Sequence, residues 1–140
     1  MHDVNINWLA VVVATVVQFV VGAIWYMPLF GKMWGEMFGF DKLSKKQQQE
    51  MQSKMGPYYG LQLAVTVLTS IVLAKFIAVL PDRSPYLLAA CLWMGFVVPT
   101  QVSAVIFGGT EPKWIPRRVL IMAGGSLACL LAAALTISLF

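Results

Sequence analysis

Four long apolar stretches constrain this chain more than any other feature of its sequence. The first and third contain no charged residue, the second contains only Lys75, and the fourth has Arg117 and Arg118 near its start. Each has roughly 20 residues or more, enough to cross a hydrocarbon core about 30 Å thick as a helix. We therefore predict four transmembrane spans, numbered in chain order, at about residues 6–28, 57–80, 85–107 and 115–139.

The composition supports a membrane protein with a single domain. Hydrophobic residues make up 59% of the 140 residues and charged residues 11%, against about 45–50% and about 25% in soluble domains. Helices satisfy their own backbone hydrogen bonds in lipid, and four spans are too few to close a barrel. We predict one all-α domain, an up-down bundle of four transmembrane helices with both termini on the same side.

The first connection, residues 29–56, is long and holds most of the polar residues. Ser44 with Gln47 three positions later is typical of a capping box, which predicts a short surface helix over residues 45–55. The aromatic residues and methionines just before it, at 30–38, favour the membrane interface. No Lys or Arg precedes the first apolar stretch, so we expect a retained span rather than a signal peptide.

The distribution of basic residues predicts the orientation. Only Lys75 and Arg83 of the ten Lys and Arg residues lie on one side of the predicted bundle, and eight lie on the other. Short cytoplasmic loops carry the excess of Lys and Arg. We therefore expect a protein of the cell (inner) membrane whose long first loop is cytoplasmic and whose termini are both outside the cytoplasm.

Several kinds of chemistry find no support in the sequence. Cys91 and Cys129 lie inside apolar stretches without CxxC spacing, and His2 is the only histidine. A zinc or haem site built from this chain alone is therefore not expected. The spans contain no carboxylate, and no nucleophile–base pair or phosphate-binding glycine loop is recognisable. We expect no enzyme, no catalytic residue, no cofactor and no nucleic-acid partner.

The end of the first span and the residues after it form a distinctive motif, GAIWYMPLFGKMW at 22–34. It resembles the signature of the domain of unknown function 1761 family, a set of small four-span membrane proteins, and WMGFVVP at 93–99 resembles the family's second motif. The resemblance implies a fold and a location but no activity. Relatives often have Gly-Tyr-His in the fourth span where this chain has Ala123-Gly124-Gly125, so no histidine role carries over. The motif residues are Gly22, Trp25, Tyr26, Pro28, Gly31, Lys32 and Trp34.

Polar side chains inside the spans are the first candidates for a functional site, because they are costly in lipid. Helix rise alone places several of them at a similar depth, in one half of the membrane. Three roles are open to them. They form hydrogen bonds between helices, they line a polar vestibule for a small solute, or they bind a lipid headgroup or cofactor. This candidate polar layer consists of Gln18, Gln62, Thr66, Thr100 and Gln101.

Two further features each allow two interpretations. Pro99 removes a hydrogen bond inside the third span, and Gly95 one turn earlier favours a kink there, which either lines a cavity or serves packing. Gly124, Ala128 and Ala132 form a ridge of small residues on the fourth span. Such a ridge is a helix-packing seam, either within the chain or between copies of it.

Basic residues at the mouth of the fourth span are the last candidates. Lys113, Arg117 and Arg118 either anchor the topology or contact anionic lipid headgroups. For the whole chain we favour a non-enzymatic structural, accessory or assembly subunit of a membrane complex. The alternatives are a homo-oligomeric pore or carrier for a small solute, and an enzyme using a borrowed cofactor. The expected partners are the lipid bilayer, anionic lipids, and further copies or subunits.

The orientation can be tested directly. A reporter fused after Phe140 should read periplasmic or extracellular, because the excess of Lys and Arg holds the opposite face in the cytoplasm. The same reporter inserted in the first loop, after Gly39, is the control and should read cytoplasmic. A cytoplasmic signal from the C-terminal fusion would overturn the predicted orientation.

Overall fold

A computed structural model gives the fold and describes residues 4–140; His2 lies outside this range. The described chain is helical and contains no strand. Two π-helical segments, Trp25–Leu29 and Trp93–Val97, and two 3-10 turns, Phe40–Lys42 and Pro112–Trp114, separate the α-helices. The α-helices are α1 Trp8–Ile24, α2 Gly31–Met37, α3 Lys45–Ser53, α4 Gly56–Val79, α5 Pro85–Leu92, α6 Val98–Phe107 and α7 Ile115–Ser138.

Four helical stretches are long and apolar enough to cross a membrane, which confirms the predicted fold class. Their limits agree with the predicted spans within three residues. The fourth starts earlier than expected because the 3-10 turn Pro112–Trp114 leads directly into α7. The four spans are Trp8–Leu29, Gly56–Val79, Pro85–Phe107 and Pro112–Ser138.

Local signals explain where several helices begin. The Asn7 side chain accepts a hydrogen bond from the Ala10 N–H at 3.2 Å and caps α1. The second, third and fourth spans each carry proline in the first turn of their helix, where a missing N–H costs nothing. The Ser44–Gln47 capping box is present, and α3 ends at Ser53. The position of α3 at the membrane surface stays a prediction.

The fourth span is the centre of the bundle. It packs against the first, second and third spans. Of its most apolar 18-residue stretch 39% is buried, against 28% in the first span, 22% in the second and 6% in the third. The buried core consists largely of alanines, which let helix backbones approach closely. Its members are Ala14, Leu73, Ala89, Leu130, Ala133 and Ala134.

The first and third spans both change from α- to π-helical geometry partway along. Pro28 lies inside the first π segment, and Pro99 lies two residues beyond the second. Proline has no N–H and its ring clashes with the carbonyl four residues earlier, so a regular α pattern cannot continue there. A π segment absorbs this by adding a residue to the turn. A change in helix type therefore accompanies Gly95 and Pro99, and a bend of the span at this point stays a prediction.

The second and third spans leave long stretches uncovered. All residues from 56 to 65, the first ten of α4, are exposed. In the third span only Ala89 and Val105 are fully buried. Between these two spans runs a cleft of about 420 Å³. The bundle is therefore tight around the first and fourth spans and open around the other two.

Candidate functional site

The motif at residues 22–34, which we call the exit motif, is attached to the fourth span through Trp25. The indole N–H of Trp25 donates to the Ile121 carbonyl at 2.9 Å. Gly124 and Gly125 make room for the ring, because a Cβ atom at either position would lie within 2.9 Å of the indole. The large side chain of the first span thus rests directly on the backbone of the fourth.

A second tryptophan makes the same kind of contact from the third span. Trp93 Nε1 donates to the Ala123 carbonyl at 2.8 Å, and Gln101 Nε2 donates to the Met122 carbonyl at 3.4 Å. A carbonyl has two lone pairs, so a helical one can accept a side-chain donor as well as its helical bond. Three consecutive carbonyls of the fourth span therefore hold the first and third spans in place.

The rest of the exit motif folds into a chain of aromatic contacts. Trp25 packs on Phe30 with ring centroids 4.9 Å apart, and Tyr26 meets Trp34 edge-on at 5.0 Å. A Cβ atom at Gly31 would lie 3.1 Å from the Tyr26 carbonyl oxygen, so the tight turn favours glycine there. The neighbouring motif residue Lys32 is exposed. These contacts explain why the motif combines aromatic residues with glycine.

Arg118 extends this aromatic chain to the mouth of the fourth span. Its guanidinium lies over the Phe38 ring at 4.6 Å and over the Trp34 ring at 5.8 Å. Its Nη1 donates to Thr110 Oγ1 at 2.7 Å. Its Nε is buried and has no hydrogen-bond partner in the described chain. Arg118 is thus a fixed, partly buried cation rather than a freely mobile surface residue.

The two other basic candidates differ from Arg118. Lys113 and Arg117 are exposed, and each lies 5.6 Å from the centre of the Trp114 ring. Lys113 also pairs with Glu111 at 3.5 Å, but both side chains are about 70% exposed. Exposed pairs of this kind contribute little stability. Of the three basic candidates, only Lys113 and Arg117 are exposed, as expected of residues whose role is to fix the orientation of the span.

The structure does not join the candidate polar layer into one network. Gln18 is buried between the first and second spans, where its Nε2 donates to Ser70 Oγ at 2.7 Å. The Thr15 hydroxyl oxygen lies 3.0 Å from the same Ser70 oxygen. This group connects two helices, as expected for hydrogen-bonding contacts within a membrane bundle.

The remaining members of the layer lie elsewhere. Thr66 donates to the Gln62 carbonyl at 2.7 Å and Thr100 to the Phe96 carbonyl at 2.6 Å, each within its own helix. Gln101 Oε1 accepts from the Ser126 hydroxyl at 3.2 Å. The five residues form no single hydrogen-bonded network, because threonine hydroxyls readily bond the carbonyl four residues earlier and equal depth does not bring side chains onto facing sides.

The predicted seam of small residues lies partly against the exit motif. Gly124 contacts Trp25, whereas Ala128 and Ala132 are only half-buried. At the first of its three positions the seam therefore serves packing within the chain. Sequence reasoning missed Ser126 and Thr110, since a lone hydroxyl in an apolar or loop segment gives no signal of its partner.

These features define a four-span membrane bundle in which tryptophans of the first and third spans are fixed to the backbone of the fourth. The family profile described as "Protein of unknown function (DUF1761)" matches residues 9–138. The chain therefore belongs to that family, as the exit motif indicated. No curated protein and no solved structure matches the chain significantly.

Replacing Trp25 with phenylalanine should loosen the bundle. The Trp25→Phe change removes the donor to the Ile121 carbonyl and part of the ring that fills the glycine site, with a loss of about 1 kcal/mol. A thermal melt in detergent should show a lower midpoint. The control is Trp8→Phe, at a side chain that is 61% exposed. Equal midpoints for both variants would contradict the structural role of Trp25.

The amides of Gln18 and Gln101 should be dry. Single cysteines at positions 18 and 101, in a background lacking Cys91 and Cys129, should resist a water-soluble maleimide. The reason is that Gln18 is buried and Gln101 is partly buried against the fourth span. A cysteine at Asp82, in the exposed turn between the second and third spans, is the positive control. Labelling at 18 and 101 as fast as at 82 would reveal a wet vestibule instead.

Proposed function

We propose that this protein is a non-enzymatic assembly subunit of the cell membrane, with its first loop in the cytoplasm. Its second span packs against a transmembrane helix of another subunit, in the simplest case a second copy of the chain. The observation that carries this proposal is the uncovered first half of α4, residues 56–65, described above.

Small residues recur at every fourth position along this uncovered half. They are Gly56, Gly60 and Ala64, all exposed. A Cβ atom at either glycine would have no neighbouring atom within 4 Å, so packing within the chain does not require glycine there. Helix association in membranes uses this spacing of small residues, because it lets two backbones approach closely.

A structural function also fits the contacts that the site makes. The exit motif and Gln101 direct indole and amide donors to backbone carbonyls, and the aromatic rings pack on one another. These interactions fix helices relative to each other. They are not an arrangement of an acid, a base and a nucleophile around a reacting atom.

The cleft between the second and third spans favours this function over a pore or carrier. Its lining is apolar apart from Thr69. A water-filled path needs polar groups that bind its water molecules. An apolar cleft of this kind suits hydrocarbon or the side chains of a neighbouring helix.

The test is association of two differently tagged copies in mild detergent. Wild-type copies should purify together, and Gly60→Leu should abolish most of the association while leaving the thermal midpoint of the bundle within a few degrees. The control is Gly95→Leu, the same enlargement at an exposed glycine of the third span, where a Cβ atom would also have no neighbouring atom within 4 Å. It should behave as wild type.

A second experiment tests whether the partner is a different protein. A photo-crosslinking residue at position 60 should capture one adduct of defined mass in native membranes, and one at position 65 should not. Failure of both copy association and crosslinking would overturn the proposed function. Crosslinking without association of copies would identify another subunit as the partner.

A further inference from the structure

Arg118 carries an unpaired positive charge in a partly buried position. A guanidinium stays protonated at every physiological pH. The one ion pair within residues 4–140 joins Lys113 and Glu111, so no carboxylate of the described chain neutralises Arg118. A cation withdrawn from water without a counter-charge is unfavourable. The site therefore calls for an anion that residues 4–140 do not supply.

The guanidinium is already held in one orientation. Thr110 accepts from Nη1 at 2.7 Å, and the rings of Phe38 and Trp34 lie beneath the group. The edge formed by Nε and Nη2 remains, and Nε is a buried donor without a partner. An unsatisfied buried donor in a native fold commonly marks the place of a missing polar partner. A fixed orientation also lowers the entropy lost on binding.

We propose that Arg118 binds the phosphate group of an anionic ligand at the start of the fourth span. The planar Nε–Nη2 edge matches two oxygens of a phosphate. Arg117 is the adjacent residue and is exposed, so it adds positive potential at this end, whereas the charge of Lys113 is offset by Glu111. Binding requires a small movement of the side chains that cover Nε. The ligand is either a lipid headgroup, since the span begins at the membrane boundary, or a soluble phosphate compound.

This proposal does not rest on the assembly function. It concerns the exit motif and α7, whereas the assembly function concerns residues 56–65. A failure of anion binding leaves copy association unaffected, and a monomeric protein can still bind phosphate at Arg118.

The test uses the full chain in detergent. Native mass spectrometry measures the apparent affinity for phosphatidylglycerol, with phosphatidylcholine as the zwitterionic reference, and thermal melts with inorganic phosphate test a soluble source. Arg118→Gln and Arg118→Lys are compared with Arg117→Gln. The lysine variant keeps the charge but lacks the planar fork, and the Arg117 variant removes one charge from an exposed neighbour.

Wild type should prefer phosphatidylglycerol over phosphatidylcholine. Both Arg118 variants should bind it roughly tenfold more weakly, as expected for loss of a charge-assisted pair, and Arg117→Gln should retain most of the affinity. If Arg118→Gln does not fold, Arg118→Lys and Thr110→Val, which frees the guanidinium, carry the comparison.

The two sources of phosphate give different results. Inorganic phosphate should leave the wild-type midpoint unchanged if the ligand is a lipid headgroup, and should raise it in an Arg118-dependent manner if the ligand is soluble. Equal affinity for the two lipids together with no response to inorganic phosphate would overturn the proposal. An equal loss in the Arg117 and Arg118 variants would also overturn it, because it would indicate a diffuse positive potential.

Discussion

The contact of the Trp25 indole with the bare backbone at Gly124 and Gly125 is the interaction on which the rest of the bundle depends. Lipid removes the hydrophobic force that holds soluble helices together, so membrane helices rely on close packing and hydrogen bonds. Here both act at one point, since the ring fills the space that two glycines leave and its N–H reaches the Ile121 carbonyl. Trp93 repeats the hydrogen bond from the third span at Ala123. The fourth span is central because its backbone is accessible on this face.

The π segments follow from the same constraint. Each begins at the tryptophan that donates to the fourth span, and each has a proline three or six residues further on. A π turn holds more residues than an α turn, so it rotates the side chains that follow relative to a regular helix. We infer that proline and tryptophan act together in both spans: Pro28 and Pro99 disfavour the regular helix, and the indole hydrogen bond fixes the alternative.

The sequence was sufficient to predict the four spans but not the contacts that the spans make with one another. Uncharged stretches of about 20 residues leave few alternatives to membrane helices, and the Ser44–Gln47 capping box is a local signal, so both were predicted. The exit motif was recognised, but its partners at positions 121–125 lie almost 100 residues away and depend on which helix faces meet. Depth alone placed Gln18 and Gln101 in one layer. The rotation of each helix, which only packing determines, directs them to Ser70 and Ser126 instead.

The first loop links the tight part of the bundle to the open part. Trp34 contacts both Tyr26 of the first span and Arg118 of the fourth, so the exit motif and the mouth of α7 hold α2 between them. From α2 the chain continues through α3 into the uncovered half of α4. A phosphate bound at Arg118 would neutralise the guanidinium. The Trp34 and Phe38 rings could then pack on it without leaving an unbalanced charge. The position of α2 relative to α7 would then be better defined. The two sites share no residue, so this ordering of the first loop and the packing of the second span against a partner are separate properties of the chain.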